Sequence, residues 1–84
     1  MSKLETIVNL LEEVAEDRTV PRNVRSVIQE AKVNLEDKSK DMDVRLNSVI
    51  SNLDEITNDP NIPMYTRTQI WNIVSMLESL HHEL

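Results

Sequence analysis

Apolar residues spaced three and four apart constrain this chain more than any other feature in it. Leu4, Ile7, Val8, Leu11, Val14 and Ala15 follow one another at those steps, with Glu5, Glu12, Glu13 and Glu16 between them. An α-helix turns once in about 3.6 residues, so this spacing gathers the apolar side chains into one stripe and leaves the acids on the other faces. The pattern returns three times. Val24, Val27, Ile28, Ala31 and Leu35 form a second stripe, Leu46, Val49, Ile50, Leu53 and Ile56 a third, and Ile70, Ile73, Val74, Leu77 and Leu80 a fourth. Four such stripes in 84 residues can cover only one another.

The breaks between stripes are made without glycine, which the chain lacks entirely. Ser2-Lys3-Leu4-Glu5 is a capping box that can satisfy two free amides at a helix start. Pro21 forces Val20 toward an extended backbone and presets its own φ for a helix start. Glu36 to Lys40 reads as a polar turn, after which Asp41 and Asp43 place negative charge where a helix N-terminus favours it. Pro60 ends the third helix and Pro63 opens the fourth. The expected structure is all-α, one domain over residues 1–84, with helices at about 3–17, 21–36, 41–57 and 63–81. Its expected form is a compact four-helix bundle or a helical-hairpin array with short turns marked by proline.

Two segments echo each other. Val20-Pro21-x-x-Val24-Arg25-x-x-Ile28 matches Ile62-Pro63-x-x-Thr66-Arg67-x-x-Ile70, and Val44-Arg45 gives a fainter third copy. The pattern resembles helical solenoid repeats of the HEAT type, although helix-capping chemistry alone can repeat in this way.

Composition removes several kinds of chemistry. With no Cys there is no disulfide, no Cys-ligated metal and no thiol nucleophile, and with no Gly there is no phosphate-cradling loop. Aromatic residues are 2% of the chain, so the core must be made of Leu, Ile, Val and Met. The formal charge of −6 opposes general phosphate binding. No apolar run reaches the roughly 20 residues that span a bilayer, and acids interrupt the apolar positions at the start, unlike a signal peptide. A cytoplasmic protein is expected, with no membrane partner and no cofactor.

Four groups of residues are candidates for function. Arg67 lies four residues before Trp71, the only Trp, and Met64 lies seven before it, so the three share one flank of the fourth helix. Trp and Arg dominate interface hot spots, and the alternative is that Trp71 closes the edge of a thin core. Arg67 sits at the electropositive start of a helix, so an ion pair with Asp59 or with an acid of the third helix is expected to compensate it. Val33 and Val44, with Leu10, lie at or beyond the edges of their stripes, and with Met64, Arg67 and Trp71 they make up the candidate interaction surface. Glu78, His81 and His82 have the spacing of helical metal ligands, but the second such motif of a di-iron bundle is missing, and His81 reads as a core-edge residue. Arg18, Arg22 and Arg25 form a local basic segment without interleaved aromatics, for which the acidic end of the first helix is the expected partner rather than nucleic acid.

The segments "VPRNVRSVIQEAK" and "DVRLNSVISNLDEITNDPNIPMYTRTQIWNIVSMLE" resemble a small family of archaeal helical proteins that is catalogued as uncharacterised. The resemblance covers nearly the whole chain, and its most specific part is "LDEITNDPNIP" followed by Arg67 and Ile70-Trp71. It implies a compact all-helical fold and an archaeal cytoplasm, and it carries no active site. The expectation is a non-enzymatic helical module for protein–protein interaction or self-association, the alternatives being a nucleic-acid accessory protein or a metal-binding protein.

Overall fold

The computed structural model describes residues 2–84. Four helices follow in order: α1 Lys3–Glu16, α2 Arg22–Leu35, α3 Met42–Ile56 and α4 Met64–His82. The expected ends hold to within a residue. Pro21 and Pro63 stand just outside their helices as N-caps, because ψ of 143° and 146° is extended even though φ is already helical. At the first helix Ser2 Oγ accepts from the Glu5 amide at 3.1 Å, the Ser half of the capping box.

Each helix packs on two neighbours: α1 on α2 and α4, and α3 on α2 and α4. The contact between α1 and α4 closes the ring, so the chain is a four-helix bundle rather than an open solenoid. Its core is aliphatic, with Ile7, Leu11, Ile28, Leu53, Ile70 and Leu77 fully buried. A Lys32–Glu12 ion pair at 3.5 Å joins α2 to α1, and Lys3 pairs with Glu83 where the two chain ends meet.

The three connections are built alike. In each, an Asp carboxylate accepts from the backbone amide two residues on: Asp17 from Thr19 at 2.9 Å, Asp37 from Ser39 at 3.0 Å and Asp59 from Asn61 at 2.9 Å. The hydroxyls of Thr19 and Ser39 donate to the same carboxylate oxygens at 2.6 Å. Eight residues after each Asp comes an Arg that reaches back over the turn. Arg25 Nε donates to the Val20 carbonyl (3.1 Å), and Arg45 donates to those of Lys40 (2.9 Å) and Leu35 (3.1 Å). Arg67 donates to the carbonyls of Thr57 (2.8 Å) and Asp59 (2.9 Å). Helices commonly end in a left-handed glycine that folds the chain back onto its last carbonyls. Among the described residues none has a positive φ, and guanidinium groups take carbonyls at the ends of α2 and α3 instead.

Burial exposes a longer repeat than the Pro and Arg echoes. Ile7, Leu11, Val14, Val20, Val24, Ile28, Ala31 and Leu35 are buried, and so is the residue 42 positions after each, from Val49 to Leu77. Asp17, Pro21 and Arg25 recur at the same offset as Asp59, Pro63 and Arg67. The bundle is thus two equivalent helical hairpins, α1–α2 and α3–α4. Their turns share one end of the molecule, where Asn23 Nδ2 donates to Asp59 Oδ2 at 3.5 Å.

Acid should loosen the first two turns. The Thr19 hydroxyl, then its amide, and after them the charge of Arg25 hold the Asp17 carboxyl below the usual carboxylate value. The Ser39 hydroxyl and amide do the same for Asp37, helped by Lys40 and Arg45. A depressed folded-state pKa contributes stability that is present above the unfolded value, about 3.9, and lost as pH falls through the lower folded value. Urea midpoints should therefore drop below about pH 4. Combining Thr19→Val with Ser39→Ala should make that drop shallower; an unchanged acid limb would mean that the turns do not titrate as described.

Candidate interaction surface

The outward side of α4 carries Met64, Tyr65, Thr68, Trp71, Asn72 and Ser75, all exposed. They share it because steps of three, four and seven residues return to one side of a helix. Met64 is 69% exposed, Tyr65 68% and Trp71 52%, so the only Tyr and the only Trp of the chain both stand in solvent. From Thr68 to Leu77 no residue is charged, in a chain with a net charge of −6. About half of the Trp71 surface is thus open to solvent and half covered by the protein.

The matching hairpin provides an internal comparison. Forty-two residues earlier, on α2, the same six positions hold Arg22, Asn23, Ser26, Gln29, Glu30 and Val33. The backbone framework is repeated, but α4 has Met for Arg22, Tyr for Asn23, Trp for Gln29 and Asn for Glu30. Both charges are gone, Met64, Tyr65 and Trp71 are new large groups, and the one apolar residue of the α2 set, Val33, gives way to Ser75. Sequence reading picked out Met64 and Trp71 but not Tyr65, Thr68, Asn72 or Ser75; the offset comparison was the signal that finds them.

The five expected surface residues do not come together. Val33 (59% exposed) is on α2, which shares no packing with α4, and Val44 (51%) is at the start of α3, at the opposite end of the bundle from Met64. Leu10 is half-buried against the core. Arg67 is half-buried, and the expected ion pair is replaced by bonds to backbone carbonyls, including that of Asp59 itself. The physical reason is local: the Thr57 carbonyl at the end of α3 and the Asp59 carbonyl in the turn carry partial negative charge and present two acceptors to the planar guanidinium fork. Arg67 thus braces the base of the α4 face.

The other candidates are used elsewhere or stay apart. His81 lies against the Asp43 carboxylate, joining the end of α4 to the start of α3, while Glu78 and His82 are exposed. Among the described residues no three His, Asp or Glu side chains are grouped as metal ligands. Arg25 is committed to the Val20 carbonyl, which leaves Arg18 and Arg22 exposed on the basic segment. A shallow crevice of about 270 Å³ beside Leu4, Val8 and Leu35 is edged by both signs of charge, from Glu5, Glu36, Lys38 and Arg45. No helix among the described residues is long and apolar enough to cross a membrane.

Residues 1–80 match the model of an uncharacterised protein family, UPF0147. The chain belongs to that family. Relatives in UPF0147 include a protein of Thermoplasma volcanium, 45% identical over 88% of this chain and 83% of its own length. Another, from Methanocaldococcus jannaschii, is 47% identical over 89% of this chain and 81% of its own length. The crystal structure of a UPF0147 protein from Thermoplasma acidophilum is similar at a TM-score of 0.90, with 42% identity over 93% of this chain and 92% of that one. The resemblance to an uncharacterised archaeal family and the all-α four-helix fold are thereby shown.

Removing the brace should be costly. Arg67→Ala takes away two charge-assisted bonds to partly buried carbonyls, so an unfolding free energy lower by about 2–3 kcal/mol is expected in urea titrations. Arg67→Lys should recover little of it, since an ammonium cannot reproduce the planar fork. A lysine variant as stable as the parent would show that charge alone suffices.

Proposed function

We propose that this chain is a non-enzymatic interaction module that self-associates through the outward face of α4. The observation that carries the reading is the contrast between equivalent helices: α4 shows Met64, Tyr65 and Trp71 where α2 shows Arg22, Asn23 and Gln29. Exposed large apolar side chains cost free energy in water, and a cluster of them with Trp at its centre has the composition of an interface core.

Charge leaves this face open to a second copy. Two molecules of net charge −6 repel each other, and the stretch from Pro60 to Leu77, which holds no acid and only Arg67 among basic residues, is a surface on which they can meet. The face is also complementary to itself. With two α4 helices antiparallel about a two-fold axis near Thr68, Trp71 of each copy meets Tyr65 of the other, and Met64 meets Asn72. An isologous contact of this kind uses the same patch twice. The same proposal places the module in the cytoplasm, a part supported by the family resemblance.

Sedimentation equilibrium over a wide concentration series tests the reading. The parent chain should approach the mass of a dimer, and Trp71→Gln, which installs the residue found at the equivalent α2 position, should shift it toward monomer with unchanged helicity. Gln29→Glu on α2 serves as the control and should leave association intact. A parent that remains monomeric throughout, or a control that dissociates it equally, would contradict self-association through α4.

A further inference from the structure

Among the described residues, the buried side-chain atoms left without a hydrogen-bond partner all fall in one stretch of four residues. They are Thr66 Oγ1, Arg67 Nε and Gln69 Oε1. Thr66 is completely buried, and Gln69 and Arg67 are partly so. The first hairpin meets the same three positions differently. Val24 and Val27 are apolar there, and Arg25 Nε is bonded to the Val20 carbonyl. The second hairpin has therefore placed unmet polar groups where its counterpart has none, in a framework buried to the same depth.

An orphaned polar atom loses its bonds to water on folding and regains them as soon as its segment opens. Opening the start of α4 breaks the two Arg67 bonds to carbonyls where opening α2 breaks one, but it returns three orphaned polar atoms to water where opening α2 returns none. The stretch also adjoins the exposed face, with Met64 and Tyr65 just before it and Trp71 just after. Met64 and Trp71 lie on one side only while the intervening turns are helical.

We propose that residues 64–70, the first two turns of α4, form a metastable element that opens locally in the single chain and is held closed when a second copy covers α4. Covering the face favours the closed state because the open one cannot present Met64, Tyr65 and Trp71 together. The second hairpin has given up local stability at the place where it docks. The coupling to docking rests on the self-association described above; the local opening stands apart from it.

Amide hydrogen exchange on the full chain tests both parts. In the Trp71→Gln variant, amides of residues 66–70 should exchange at least about tenfold faster than those of residues 24–28, after correction for intrinsic rates. Replacing Thr66 and Gln69 by Val, as at the equivalent α2 positions, should bring the two segments together. In the parent chain, raising the concentration should slow residues 66–70 and leave 24–28 unchanged. Equal rates in the two segments, or no slowing by the Val substitutions, would overturn the metastable element. Faster exchange that ignores concentration in a chain that does dimerise would overturn the coupling. Faster exchange in a parent that stays monomeric would support the local opening and count against self-association instead.

Discussion

Arginine bonded to backbone carbonyl is the interaction on which the architecture depends. A chain without glycine has no cheap residue for the left-handed turn that commonly ends a helix, yet a four-helix ring must reverse direction three times. Here Asp17, Asp37 and Asp59 bend the backbone through their carboxylates, and Arg25, Arg45 and Arg67 reach back to hold the result. Both halves of the device use groups that are always available on a charged chain, and neither asks for an unusual φ. Because each Arg springs from the first turn of the next helix, the bonds of Arg45 and Arg67 to Leu35 and Thr57 fix where α3 and α4 begin relative to the end of the helix before. The apolar stripes then need only meet.

The same device makes the bundle a doubled object, and the doubling gives the functional argument its control. Equivalent positions in α2 and α4 occupy equivalent environments, so a difference between them is not dictated by the fold. The exposed side of α4 has lost two charges and gained Met, Tyr and Trp. Its base has gained orphaned polar atoms where the other hairpin has valines or a completed bond. In the proposed reading, one change makes the helix adhesive and the other makes it easier to move. Folding alone favours neither, which is why both are assigned to association.

Most of the fold was legible in the sequence because each stripe is long and regular. Fourteen to nineteen residues of three-and-four spacing identify a helix, and Pro21, Pro60 and Pro63 mark its limits. The Val-Pro and Val-Arg echoes were also visible. Their meaning was not, because a guanidinium bonded to carbonyls leaves no charge partner in the sequence to point to; the natural expectation for Arg67 was an acid. The candidate surface was legible only along α4, where helical spacing alone puts Met64 and Trp71 on one side. Val33 and Val44 looked like companions because all were off-stripe, but grouping residues from different helices requires knowing which helices touch. That α2 and α4 lie apart across the bundle is a property of the ring.

The clasped turns are tested most directly by the arginine side chains themselves. Of the five arginines, Arg25, Arg45 and Arg67 have guanidinium N–H groups bonded to backbone carbonyls, while Arg18 and Arg22 are exposed. Nitrogen-edited NMR of the guanidinium protons should show Nε–H of Arg25 and Arg45, and Nη–H of Arg67, protected from exchange with water, with Arg18 and Arg22 exchanging freely. Five arginines exchanging alike would contradict the account, since the turns would then be held by something other than the groups described.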